Sequence, residues 1–207
     1  MKTQLALAAL LAAGLATAAD IKLPAANKTE GKPLMQALAD RQSNRAFSDK
    51  ALSEQQLSDL LWAATGVSRD NGKRTAPTAR DKREIDVYAL TKDGCYLYEP
   101  ESHNLKQVSE TDVRTDSGLP AFSQAAPITL VYVLNRAKQG MQPGDASTKL
   151  GAVDIGFIGQ NVYLWCASES LSTVFLGTLD SKKLATSLKL ADGNEAFFAQ
   201  PVGFPKE

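Results

Sequence analysis

The sequence is poor in the residues that carry most covalent and metal chemistry. It has one histidine, His103, and two cysteines, Cys95 and Cys166, separated by 71 positions. Histidine-dependent triads and multi-histidine metal sites therefore have little to build on, and no CxxC redox motif or cysteine zinc cluster is present. An excess of one charge is missing too. The 23 Lys+Arg balance 23 Asp+Glu, which removes the usual electrostatic case for nucleic-acid binding. No GxGxxG dinucleotide turn occurs. What remains is 43% hydrophobic and 22% charged, the balance of a folded globular chain rather than a disordered one.

The one long apolar run lies at the N-terminus. Lys2 precedes Leu5–Leu15, and the small residues Ala16-Thr17-Ala18-Ala19 follow. This is the three-part pattern of a secretory signal peptide cut after Ala18. The apolar stretch is shorter than the ~20 residues of a membrane span and is closed by Asp20 and Lys22. Cleavage would leave 189 residues, enough for one domain with a sizeable core, exported to a compartment such as the bacterial periplasm and without a membrane span. Export permits a Cys95–Cys166 disulfide, but two buried free thiols satisfy the sequence equally well.

Residues 19–32 read as a polar tether and 33–207 as the domain. Leu34, Ala37 and Leu38 recur at helical spacing, fading near Arg41. Ser53 and Gln56 form a capping box ahead of Leu57, Leu60, Leu61 and Ala64, and Gly66 closes that helix. Ile85–Leu90 and Cys95–Tyr98 flank Asp93-Gly94 as a hairpin, with a weaker strand over Leu105–Val108. The continuous apolar run Ile128–Leu134 predicts a strand buried on both faces. A helix over about Ala146–Ser170 is apolar on nearly every side, which places it inside the protein or at a subunit interface. Its Gly151, Gly156 and Gly159 each cost about 1 kcal/mol in a helix, so close approach by a helix, a flat ligand or the core should compensate. Thr173–Leu176 and Phe197–Phe204 predict further strands, and Ser181–Leu190 a further helix. The fold class is α+β, with a mostly antiparallel sheet flanked by helices.

Three separated clusters carry binding chemistry. The first is Arg41-Gln42-Ser43-Asn44-Arg45, whose guanidiniums share a side if the turn is helical and match phosphate oxygens in bidentate geometry. The second is the loop Arg74-Thr75-Ala76-Pro77-Thr78-Ala79-Arg80-Asp81, directly before a core strand. The third is Thr173–Thr178, where Gly177 leaves backbone open to a flat ring. Taken singly, a solvated basic turn, an ordinary loop and a plain turn explain them as well. Asp154, Gln160 and Asn161 read as hydrogen-bonding partners within a buried helix, Trp62, Trp165 and Phe175 as core, and His103 as solvated in a polar turn.

In this order, the three clusters resemble the FMN-dependent nitroreductase family. The resemblance rests on Arg-x-Ser-x-Arg at Arg41, Ala-Pro-Thr-Ala at Ala76, and Asp154-x-Gly156, Gln160-Asn161, Thr173-Val174 and Gly177-x-x-Asp180. Pro201–Pro205 looks like the family's C-terminal strand. The similarity spans roughly Pro33 to Lys206.

The resemblance implies an intertwined homodimer with the long helix at its interface and FMN held between protomers. Arg41 and Arg45 would hold the flavin phosphate and the N1/O2 edge, beside Gln42 and Ser43. Pro77, Thr78 and Ala79 would pack against the cofactor from the partner subunit, and Leu176, Gly177 and Thr178 would offer backbone near N5. Two departures stand out: Asp81 occupies a common Asn position and Arg83 a common Gln position. An ionised Asp81 could accept from the ring N3–H but not donate. Lys206 would substitute for the cations that the family often carries in a C-terminal extension. The implied activity is hydride transfer through flavin N5 between a small-molecule donor, NAD(P)H in many family members, and a nitroaromatic or quinone acceptor, with no catalytic side chain and no metal. Alternatives are a secreted flavin- or ligand-binding module with little turnover, or a flavin dehydrogenase acting on a peptide or small molecule.

Overall fold

The computed structural model describes residues 19–206, so the expected leader, Met1–Ala18, lies outside the described residues. One antiparallel sheet organises the chain. Its strands are β1 (Ile21–Lys22), β2 (Ile85–Thr91), β3 (Gly94–Glu99), β4 (Asn104–Ser109), β5 (Ile128–Leu134), β6 (Ser172–Thr173) and β7 (Glu195–Gly203), in the order β1-β4-β3-β2-β5-β7-β6. The helices are α1 (Leu34–Asp40), α2 (Glu54–Thr65), α3 (Arg136–Gln139), α4 (Asp145–Ser168) and α5 (Ser181–Ser187). The architecture is α+β. Among the described residues no helix is long and apolar enough to cross a membrane.

The central strand explains the layering. All seven residues of β5 are buried. Their period of two sends Ile128, Leu130, Tyr132 and Leu134 to one face, against Leu60 and Leu61 of α2 and Ile155, Ile158 and Val162 of α4. Val131 and Val133 face the other way, toward Leu184 of α5 and Leu188. Cys166 belongs to the first layer and Cys95 to the second, and both are free thiols, so the disulfide alternative fails.

Local signals act as the sequence reading expects for α2, where Ser53 and Gln56 cap each other's backbone amides. The hairpin forms with Lys92-Asp93 at its tip and Gly94 opposite Thr91, in register for the Ala89↔Tyr96 pair. Two of the α4 glycines are explained by packing. A Cβ at Gly151 would lie 2.9 Å from Leu134, and one at Gly159 would lie 2.5 Å from the Phe175 ring. A Cβ at Gly156 would meet open space.

Four expectations need correction. The 19–32 segment is no free tether: Ile21 pairs with Leu105, Leu23 is buried, and Ser58 Oγ donates to Pro24 O at 2.7 Å. Its polar residues satisfy backbone groups instead of leading away. His103 is not a solvated turn residue, since its Nε2 lies 2.7 Å from Ser58 Oγ and its Nδ1 2.8 Å from Tyr98 Oη. The Thr173–Leu176 strand shrinks to β6 plus one bridge, Leu176↔Ala199, because the chain leaves the edge of β7 between them. Helix α5 stops at Ser187, three residues early, where Leu188 caps it.

Candidate functional site

Helix α1 ends at Asp40, so the Arg41–Arg45 cluster is extended rather than helical, and its two guanidiniums are not aligned by a turn. Backbone and side-chain bonds hold it instead. The Asn44 amide donates to Thr173 O at 2.9 Å, tying the cluster to β6. Ser43 Oγ lies 2.8 Å from Tyr163 Oη, and the same hydroxyl accepts the Phe175 amide at 2.8 Å. The Arg41 guanidinium sits over the Tyr163 ring, 5.2 Å from its centroid. One residue of α4 thus joins the first and third clusters.

This junction borders a cleft of about 520 Å³, lined by Lys32, Arg41, Gln42, Asn44, Thr173 and Pro205 among others. That volume falls within the roughly 300–1,000 Å³ of small-ligand sites. The chain end closes in on it: Phe47 bridges Pro205, and the Lys206 amide donates to Ala46 O at 3.3 Å. In the third cluster, Leu176 exchanges two backbone hydrogen bonds with Ala199, at 2.8 and 2.9 Å, after which Gly177 and Thr178 are exposed. A separate, mainly apolar cavity of about 330 Å³ lies over Leu52, Leu57, Ala89, Tyr96 and Ile128, and none of the predicted site residues lines it.

The second cluster sits elsewhere in the same chain. Arg74 is buried and paired with Glu101 at 2.7 Å, so it serves the fold. The Ala79 amide donates to Asp154 Oδ2 at 2.8 Å, anchoring Pro77–Asp81 to α4. Asp154 therefore holds a neighbouring loop, as the sequence reading expects of it. Nine residues separate Asp154 from Tyr163, which at about 100° per residue puts the two on opposite sides of the helix and roughly 14 Å apart along it. One chain brings together clusters one and three, and leaves cluster two around the far side of α4. Between them runs the exposed stripe of Leu150, Val153 and Phe157.

Asp81 departs from the simple acceptor expected of it. Arg83 donates to both of its oxygens, Nε at 3.1 Å and Nη2 at 2.9 Å. That pairing holds the Asp81 carboxyl below its ordinary pKa. Tyr163 was missed because a tyrosine in an apolar helix reads as core; its reach to Ser43 appears only once the helix is folded against Phe175.

The sequence profile of the Nitroreductase family matches residues 38–204. The chain is a member of the nitroreductase family. A nitroreductase-family protein of Methanocaldococcus jannaschii is 29% identical over 194 residues, covering 89% of this chain and 96% of that one. A nitroreductase-family crystal structure from Ralstonia eutropha superposes with a TM-score of 0.86 at 36% identity, over 91% of this chain and 90% of the other. The NADPH:FMN oxidoreductase of Vibrio harveyi, solved with NAD+, shares the fold at 18% identity with a TM-score of 0.62, over 84% and 69% of the two chains. That family is one of oxidoreductases acting on small molecules.

Proposed function

We propose that this nitroreductase binds FMN between two copies of the chain and passes hydride from a small-molecule donor to a nitroaromatic, quinone or similar acceptor. The observation that carries the reading is the junction at Tyr163, which ties Ser43 and the Phe175 amide together and lies under Arg41, beside a polar cleft that Arg41, Gln42 and Thr173 line. The residues present fit the cofactor. A guanidinium on the cleft wall and an exposed Arg45 suit a phosphate and an electron-rich ring edge. Gly177 and Thr178 leave main chain open to a planar group.

Bound FMN supplies hydride exchange at its N5. The protein supplies position and field. Arg41, Gln42 and Ser43 would hold the phosphate side, and Arg45 would favour negative charge at the N1/O2 edge. Leu176–Thr178 would set the ring's edge against backbone. Pro77–Asp81 would come from the second copy, since within one chain that loop lies across α4 from the cleft. Asp81, already bonded to Arg83, would present an ion pair where a neutral amide is common, and Lys206 would approach the phosphate side. No side-chain nucleophile or general base is required.

The homodimer reading rests on the exposed large apolar side chains Leu150, Val153 and Phe157 of α4 and Leu34, Met35 and Leu38 of α1, two helices that pack on each other. With Met1–Ala18 read as an export signal, the mature protein works outside the cytoplasm, where its donor need not be NAD(P)H. The test is the absorption spectrum of protein incubated with FMN and dialysed. A retained flavin spectrum, bleached anaerobically by a donor and restored by an acceptor faster than free FMN is, supports the enzyme. A colourless protein overturns the flavin site. A retained but inert flavin supports the binding module instead.

A further inference from the structure

A polar cleft of about 430 Å³ shares no residue with the one beside Arg41 and has Arg74 in its wall. Its size suits a small ligand. Arg74 braces the fold through Glu101, but it has donors to spare. The side chain is 8% exposed, and its Nη2 donates to Glu101 Oε1 at 2.7 Å. A guanidinium carries five N–H groups. The Nε–H of Arg74 is buried and has no acceptor among the described residues. A buried donor left unpaired costs free energy that an incoming acceptor would recover.

The pairing with Glu101 is one-sided. Its side chain is 62% exposed on the turn between β3 and β4, so it can leave Arg74 without unpacking the core. Its single bond also leaves half empty the two-pronged seat that Nε and Nη2 offer a carboxylate. The other charges of the wall are arranged around this pair. Lys138 is spent on Asp86 at 2.5 Å, and Asn135 Nδ2 holds the second Asp86 oxygen at 2.8 Å. Glu99 receives the Ser102 hydroxyl at 3.2 Å. Arg74 and Lys138 thus face three carboxylates, Asp86, Glu99 and Glu101, an excess of one negative charge. A plain anion would add to that excess. A molecule bearing both a carboxylate and an ammonium would not. Ile85, Val87 and Leu97 supply apolar surface in the same cleft.

We propose that this cleft binds a free α-amino acid with an apolar side chain. The ligand's carboxylate takes the Nε and Nη2 donors of Arg74 and satisfies the orphaned N–H. Glu101, released from Arg74, turns to the ligand's ammonium and meets it together with Glu99. The ligand's side chain lies against Ile85, Val87 and Leu97. Every charge that the ligand brings finds a counter-charge already in the wall. None of these residues belongs to the proposed flavin site, so the two sites fill independently.

The experiment is calorimetric titration of the full mature chain with L-leucine, with 4-methylpentanoate, which lacks the ammonium, and with isopentylamine, which lacks the carboxylate. Wild type should take up one leucine per chain and bind each analogue about tenfold or more weakly, the scale of one charge-assisted hydrogen bond. Glu101→Gln alters an exposed side chain and removes the carboxylate that competes for Arg74 and receives the ammonium. It should bind 4-methylpentanoate several-fold more tightly than wild type and isopentylamine more weakly, so the preference for leucine over the acid shrinks. In wild type the nitrogen-15 signal of Arg74 Nε should shift as leucine is added, which reads the contact without any substitution. No saturable leucine binding up to about 10 mM, equal affinity for leucine and 4-methylpentanoate, or an unaltered preference in Glu101→Gln overturns the site. Leucine that binds and leaves the Arg74 signal in place overturns its assignment to this cleft. The titration is repeated with FMN added: an unchanged leucine affinity supports two separate sites, and displacement of either ligand by the other overturns their independence.

Discussion

The hydroxyl of Tyr163 accepts the Phe175 amide hydrogen at 2.8 Å, so a single side chain of α4 sets where the strand after it turns toward the cleft. The same oxygen reaches Ser43 across 120 positions of sequence. Tyr163→Phe removes both bonds and keeps the ring beneath Arg41. It should weaken FMN binding by roughly 1–3 kcal/mol while the far-ultraviolet circular dichroism stays that of wild type. Titration of the variant with FMN, followed by flavin fluorescence, checks this, and an unchanged Kd would show that the junction does not serve the ligand.

Arg41→Ala tests the phosphate grip directly. Loss of a charged hydrogen-bonding group should cost about 1.5–3 kcal/mol of FMN affinity. The wild-type affinity should also fall with added salt more steeply than that of the variant, because the lost contact is ionic. Equilibrium dialysis at two salt concentrations reads both effects.

Gly159→Ala and Gly156→Ala form a matched pair on one helix. The Gly159 substitution drives a methyl into the Phe175 ring and should destabilise by about 1–3 kcal/mol. The Gly156 substitution meets open space in the single chain and should stabilise α4 by about 1 kcal/mol if that face stays open. A second copy seated on Leu150, Val153 and Phe157 would remove that gain. The prediction from the proposed dimer is therefore a neutral or lowered Tm for Gly156→Ala, with dissociation on dilution measured by light scattering.

His103 should make stability sensitive to acid. Burial lowers its pKa below the ordinary imidazole value, so its contribution is present above about pH 6.5 and lost as pH falls. His103→Asn suits the φ of 53° at this position and does not titrate. The difference in Tm between wild type and His103→Asn should shrink from pH 7 to pH 5.5. A constant difference would mean that the Ser58–His103–Tyr98 chain tolerates the proton.

The two thiols give a simple control. Burial raises the pKa of both Cys95 and Cys166. Native protein should react with no thiol reagent over minutes, unfolded protein should expose two equivalents, and reducing agent should leave Tm unchanged.

Much of the fold could be read where the signal is local. The Ser53–Gln56 capping box, the apolar run of β5 and the hairpin around Asp93 each specify structure within a few residues. The Arg41–Arg45 and Thr173–Thr178 clusters stand out as candidates for a different reason, since their residue types suit an anion and a flat ring wherever they stand, whereas their connection through Tyr163 leaves no local mark. Long-range pairing was not legible. Glu84 sits in a charged loop and gives no sign that it will be buried. His103 looks solvated until Ser58 and Tyr98 arrive from α2 and β3. The 19–32 segment is polar because its contacts run through main chain and hydroxyls, which hydropathy does not register.

Helix α4 also works as a gauge. The Ala79 loop hangs from it at Asp154 and the arginine segment at Tyr163, two and a half turns further on. Adding one residue between those anchors would swing one set of binding groups by about 100° against the other, while adding seven would nearly restore their alignment at a greater separation. The count of residues from 154 to 163 is therefore the dimension that fixes how the Ala79 loop and the arginine segment are set against each other around α4.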